Sequence, residues 1–98
     1  MKFSKFLPIQ RFTVYENSML PTLAPGDDVL VFHWLRGGIG DIIVAQYQNK
    51  IIIKRINSIE NGQDFLIGDN PNESIDSRRF GPISQKDITG KVIYHAKK

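Results

Sequence analysis

The run Asp41-Ile42-Ile43-Val44-Ala45-Gln46-Tyr47, the turn Asn49-Lys50, the run Lys50 to Ile59 (KIIIKRINSI), and Asn61-Gly62 leading into Asp64 to Ile67 (DFLI) decide the fold class. The apolar runs are short, rich in isoleucine and valine, and interrupted by turn residues at hairpin spacing. Asn-Gly readily adopts the two positive φ angles of a tight β-hairpin turn. No 3.6-residue apolar stripe, internal repeat or low-complexity tract competes with this pattern. The core of the chain is therefore a meander of strands.

Working outward, Arg11 to Tyr15 (RFTVY) reads as a strand. So does Asp28 to Trp34 (DVLVFHW), whose alternate sets Val29/Val31 and Leu30/Phe32/Trp34 are both apolar and imply cover on both faces. The glycines of Arg36 to Gly40 do not lead from a strand into a helix with phosphate-loop spacing, so this stretch is a hairpin or loop rather than a nucleotide cradle. Gly68 to Gly81 is polar and irregular, Ser84 to Asp87 has the makings of one helical turn, and Lys91 to Tyr94 is a closing strand. The expected fold is mostly β. It is a small twisted, partly closed barrel or sandwich of short antiparallel strands with one or two short helical turns.

The chain has 98 residues, 41% of them hydrophobic, which suffices for one domain without staples. Residues 1–10 read as an N-terminal leader and 11–98 as the single domain. Cysteine is absent, which removes disulfides and thiolate zinc sites. A net charge of +3 falls short of a dedicated nucleic-acid binder, so no nucleic-acid partner is expected. The apolar runs Val29 to Phe32 and Ile42 to Ala45 are far below the ~20 residues that span a bilayer, and the first residues show no small-x-small cleavage pattern. A soluble, cytoplasmic protein is expected, with at most weak peripheral membrane contact through Phe3, Phe6, Leu7 and Ile9.

Three places carry chemistry-bearing side chains. Ser18 follows a β-like run and precedes Pro21 and the Pro25-Gly26 turn signal, which places its hydroxyl on a rigid bend. Period-two alternation sets Lys54 on the same face as Ile52 and Ile56, with Ile53 and Arg55 on the other. Burial there disfavours the ammonium and moves the amine toward the range in which it accepts a proton from a hydroxyl. In the polar stretch, Asp76 and Arg78 are spaced to pair across a tight turn, with Ser74 beside them. Pro71 and the missing turn glycine rule out a calcium loop there.

Taken in order, Ser18-Met19-Leu20-Pro21-Thr22-Leu23 with Pro25-Gly26-Asp27, Gly40-Asp41-Ile42-Ile43-Val44, Ile53-Lys54-Arg55-Ile56, Gly68-Asp69-Asn70, and Ser74-Ile75-Asp76-Ser77-Arg78 with Gly81 form one series. This series resembles the type I signal peptidase family of serine proteases, over about Val14 to Val92. It looks most like the short soluble branch that includes the nickel superoxide dismutase maturation proteases, because no membrane anchor and no large insertion between Lys54 and Gly68 is present.

The resemblance implies a Ser/Lys dyad, with Ser18 as nucleophile and Lys54 as general base. It also implies that Ser74 orients Lys54 through a hydrogen bond, that Asp76 and Arg78 form a supporting ion pair, and that the Ser18 N–H is one oxyanion donor. No cofactor or metal is expected, and His33 and His95 are assigned to structure or surface. The position two before the nucleophile, commonly Ser or Gly in the family, is Glu16 here. An ionised carboxylate cannot donate to an oxyanion, so Glu16 is expected to point outward or to shape substrate choice. The Pro-Gly-Asp that usually follows the lysine box is also missing.

A peptide substrate would add as a strand between Thr13, Val14, Tyr15 and Ile51, Ile52, Ile53, with Met19 and Leu20 nearby. The expected partner is a precursor protein with an N-terminal leader, such as a nickel superoxide dismutase precursor. Two other readings compete. One is a leader peptidase whose anchor is lost or supplied by a partner. The other is a non-catalytic peptide-binding or regulatory β-domain related to self-cleaving repressor C-terminal domains, although no helix-turn-helix pattern precedes the β region.

Overall fold

The computed structural model describes residues 8–97. Phe3, Phe6 and Leu7, read above as possible membrane contacts, lie outside them. Seven antiparallel strands form one sheet: β1 (Ile9–Thr13), β2 (Asp28–Phe32), β3 (Ile42–Tyr47), β4 (Lys50–Glu60), β5 (Gln63–Ile67), β6 (Ile83–Ser84) and β7 (Ile88–Ala96). Their order across the sheet is β1-β2-β7-β3-β4-β5-β6, and the sheet does not close into a barrel. The fold is mostly β, as expected, and the helical content of the described residues is three single turns, one more than expected: Pro71–Glu73, Gln85–Asp87 and the short helix α1 (Ser77–Phe80). No helix among the described residues is long and apolar enough to cross a membrane.

Turn chemistry sets the central meander. Asn61 and Gly62 have φ of 53° and 76°, the two positive angles that a two-residue hairpin matched to strand twist requires. The β3–β4 turn uses Gln48 and Asn49, with φ of 49° and 65°, so that Tyr47 pairs with Lys50. The turn thus sits one residue earlier than Asn49-Lys50, because a left-handed Gln48 is tolerated where the strand register demands it.

β3 sends alternate residues to two apolar clusters. Val44 joins Val14, Met19, Leu23, Val29 and Val31, while Ile43 and Ala45 join Ile56, Leu66, Ile83 and Ile88. Lys54 pairs with Ile43 across the β3–β4 ladder and is buried.

Several boundaries differ from the sequence reading. β1 begins at Ile9 rather than Arg11, inside the stretch read as leader, and ends at Thr13. Val14 nevertheless continues the alignment, its N–H donating to the Asp27 carbonyl at 2.8 Å while its own carbonyl accepts from Gly26 at 2.7 Å. β2 is not covered equally on both faces: Val29 and Val31 are buried, Leu30 and Phe32 are half-buried, and Trp34 lies beyond the strand with 75% of its surface exposed.

β7 fits against its neighbours only because of one small residue. A Cβ on Gly90 would sit 2.6 Å from the Phe32 carbonyl oxygen and 2.7 Å from Val31 Cγ1. Gly90→Ala is therefore expected to cost about 1–3 kcal/mol, the usual range for overpacking a tight interior. Urea unfolding checks this, with a lower midpoint and an unchanged m value as the expected outcome.

Candidate active site

Residues 14–17 carry the chain from β1 to Ser18, and the next turn closes when the Leu23 N–H donates to the Met19 carbonyl at 2.9 Å. Gly26, with φ of 95°, supplies the positive angle needed to turn into β2. Met19 and Leu23 anchor the loop because both are fully buried in the first apolar cluster. The hydroxyl of Ser18 is consequently held inside, with the residue only 5% exposed.

Lys54 approaches from β4 and is 2% exposed. Its Nζ lies 2.9 Å from Ser18 Oγ. A charged ammonium donates across that distance, and a neutral amine accepts from the hydroxyl across it. Burial pushes the Lys54 pKa below its ordinary value, and the Arg78 charge acts in the same direction. The negative charges of Glu16 and Asp76 oppose the shift without cancelling it.

Asp76 is buried, and its carboxylate accepts five hydrogen bonds. Oδ2 receives Ser74 Oγ at 2.6 Å, the Gly68 N–H at 2.8 Å and Arg78 Nη2 at 2.7 Å, while Oδ1 receives Arg78 Nε at 3.0 Å and the Arg78 N–H at 3.1 Å. Burial alone would raise its pKa, but the donors from Arg78, Ser74 and Gly68 outweigh burial and hold it well below the usual carboxylate range. Asp76 also caps the N-terminus of α1, and Phe80 at the other end of that helix stacks on Tyr47 of β3 with ring centroids 4.0 Å apart. The Asp76–Arg78 pair read from sequence is thus a two-pronged fork. Ser74 differs from expectation: its hydroxyl proton goes to Asp76, and its hydrogen bond is not to Lys54. A buried carboxylate claims the nearest donor.

Sequence reasoning assigned no roles to residues in the Gly68-Asp69-Asn70 box, yet these fasten the serine loop. The Asn70 N–H donates to the Ser18 carbonyl at 2.8 Å, and Asn70 Nδ2 donates to the Asn17 carbonyl at 3.1 Å. Asp69 accepts Thr22 Oγ1 at 2.6 Å and a double hydrogen bond from Arg55, with Nε at 2.9 Å and Nη2 at 2.7 Å. The Arg55 fork is the main cause of the lowered Asp69 pKa. Gly68 has no room for a side chain, since a Cβ there would lie 2.6 Å from both the Ser18 carbonyl oxygen and Ser74 Cβ. The available signal was a Gly-Asp pair directly after a strand, where close backbone approach and a charged tether are both common.

A groove of about 480 Å³ opens at the Ser18–Lys54 pair. It is lined by residues 11–16, Ser18 and Met19 on one side and by residues 51–54 on the other. Thr13, Val14, Tyr15, Met19, Ile51, Ile52 and Ile53 all line it, while Leu20 does not. Arg11, Phe12 and Glu16 line it as well. Both walls present open backbone edges: β1 is the last strand of the sheet, and β5 pairs with β4 only from Arg55 onward, leaving residues 50–54 bonded to β3 alone. Among the described residues no acceptor takes the Ser18 N–H. Away from the site, His33 Nδ1 lies 3.2 Å from the Thr89 carbonyl, and His95 is exposed near the C-terminal end of β7.

Lys54 links stability to pH. Its folded pKa lies below its unfolded value, so between the two the unfolded chain binds more protons and stability rises with pH. Lys54→Met keeps the length and removes the charge. It is expected to be more stable than the parent at neutral pH, with the gap in urea midpoint closing as pH climbs toward 10.5, the ordinary lysine value.

A search of curated proteins found no match. A family model does match: residues 53–96, a span that takes in Lys54, Gly68, Ser74, Asp76 and Arg78 but not Ser18, are similar to the family described as signal peptidase, peptidase S26.

Proposed function

We propose that this protein is a serine endopeptidase that removes an N-terminal leader or pro-segment from a specific precursor, with Ser18 as nucleophile and Lys54 as general base. The observation that carries this reading is the 2.9 Å approach of Lys54 Nζ to Ser18 Oγ, both buried, at the floor of a groove with open strand edges. An extended peptide completes the hydrogen bonding of both edges and brings one carbonyl over Ser18.

In the reaction, neutral Lys54 takes the hydroxyl proton as Ser18 Oγ attacks the scissile carbonyl carbon. The tetrahedral oxyanion then faces the unengaged Ser18 N–H. Collapse expels the amine, to which the Lys54 ammonium returns the proton, leaving an acyl-enzyme. Water, deprotonated by the same amine, then attacks the ester carbonyl and releases the acid product and Ser18. Asp76, Ser74 and Gly68 act by position: they hold the turn that presses on the Ser18 loop. The precursor that best fits the sequence resemblance is a nickel superoxide dismutase with its leader still attached.

Incubation with leader-bearing precursors, read by mass spectrometry of the new N-terminus, tests the assignment. Ser18→Ala and Lys54→Ala are each expected to lower cleavage by about 10³-fold or more. Equal cleavage by parent and variants would sink the dyad. Because only the neutral amine accepts the proton, kcat/KM is expected to rise with pH through the lowered Lys54 pKa and to level off below 10.5.

A further inference from the structure

Glu16 is the one carboxylate among the groove-lining residues, and the dyad chemistry gives it no task. It is exposed in the free protein, and no described residue forms a hydrogen bond or salt bridge with it. Between Glu16 and the other charged lining residue outside the dyad, Arg11, the wall is neutral: Phe12, Thr13, Val14 and Tyr15. Any peptide laid along the groove strips water from Glu16. An anion left unpaired in that position is costly, a cation placed beside it relieves the cost, and a second anion is repelled. Glu16 stands two residues before Ser18 in a bend, so their Cα atoms are at most about 7 Å apart, the span of two extended residues. The peptide side chain facing it is therefore one or two residues from the scissile bond.

We propose that Glu16 makes this groove selective for peptides with a lysine or arginine one or two residues from the scissile bond. The inference rests on the peptidase reading of the groove.

The test uses fluorescein-labelled decapeptides of mixed alanine, threonine and valine. Lysine or glutamate is walked through each position, and binding to the Ser18→Ala protein is read by anisotropy. At one or two adjacent positions lysine is expected to bind about fivefold tighter than glutamate at low salt, the scale of a solvent-accessible ion pair. The difference should shrink in 0.5 M NaCl, where the Debye length falls to about 4 Å, and vanish when Glu16→Gln is added. Equal affinities, no binding of either peptide, or a preference that survives Glu16→Gln overturns the proposal. The peptidase reading is judged separately: Ser18-dependent cleavage of a precursor upholds it whatever the peptides do, and a lysine preference without such cleavage upholds only the selectivity.

Discussion

The saturation of the Asp76 carboxylate is the constraint on which the site depends. Asp76 is the nearest thing to a counter-ion that the interior offers Lys54, yet its oxygens are already filled by the Arg78 fork, the Ser74 hydroxyl and the Gly68 and Arg78 amides. Arg78 also brings the compensating positive charge. Lys54 is left buried with a hydroxyl as its hydrogen-bond partner, an environment that lowers the basicity of the amine and so favours its neutral, proton-accepting form. A direct Lys54–Asp76 bond would have fixed the ammonium instead.

A second buried carboxylate shows how much depends on the count of donors. Asp64 on β5 is as deeply buried as Asp76, but it accepts one hydrogen bond, from Gln85 Nε2 at 3.1 Å, and its Oδ2 has no partner. Burial therefore wins and pushes its pKa up, with Gln85 opposing. The two groups consequently bear on stability with opposite sign. Asp76 contributes stability above the ordinary carboxylate pKa that is lost in acid. Asp64 favours the fold where it is protonated, and that contribution fades as pH rises through its elevated pKa.

What was legible in the sequence was local. Asn61-Gly62 announced its hairpin because two positive φ angles suit few other residue pairs, and the alternation of Ile52, Lys54 and Ile56 located the lysine because a strand has only two faces. The insertion of β7 between β2 and β3 was not legible, since such pairing joins residues far apart in the chain and leaves no mark on either. Nor was α1, where Asp76 is a sound helix cap but four residues are too few to show a period. The Arg55–Asp69 fork was hidden for the same reason as β7. Both residues read as ordinary strand and turn until the sheet brings them within 2.7 Å.

The site lies at a boundary between dry and wet, and the two sides do different work. Beneath the groove, Met19, Ile43 and Ile56 keep water from the lysine, and the Asn70 and Asp69 contacts hold the serine loop against it. Above it, Tyr15 is 82% exposed and Glu16 and Ile51 are open to solvent, so the groove wall is free to meet a second chain. Among the charges of the described residues that act on Lys54, Asp76 and Arg78 are locked to each other, whereas Glu16 stands on the wet side and is open to solvent. The dry interior and the open groove wall are thereby separated in space, with Ser18 as the residue that touches both.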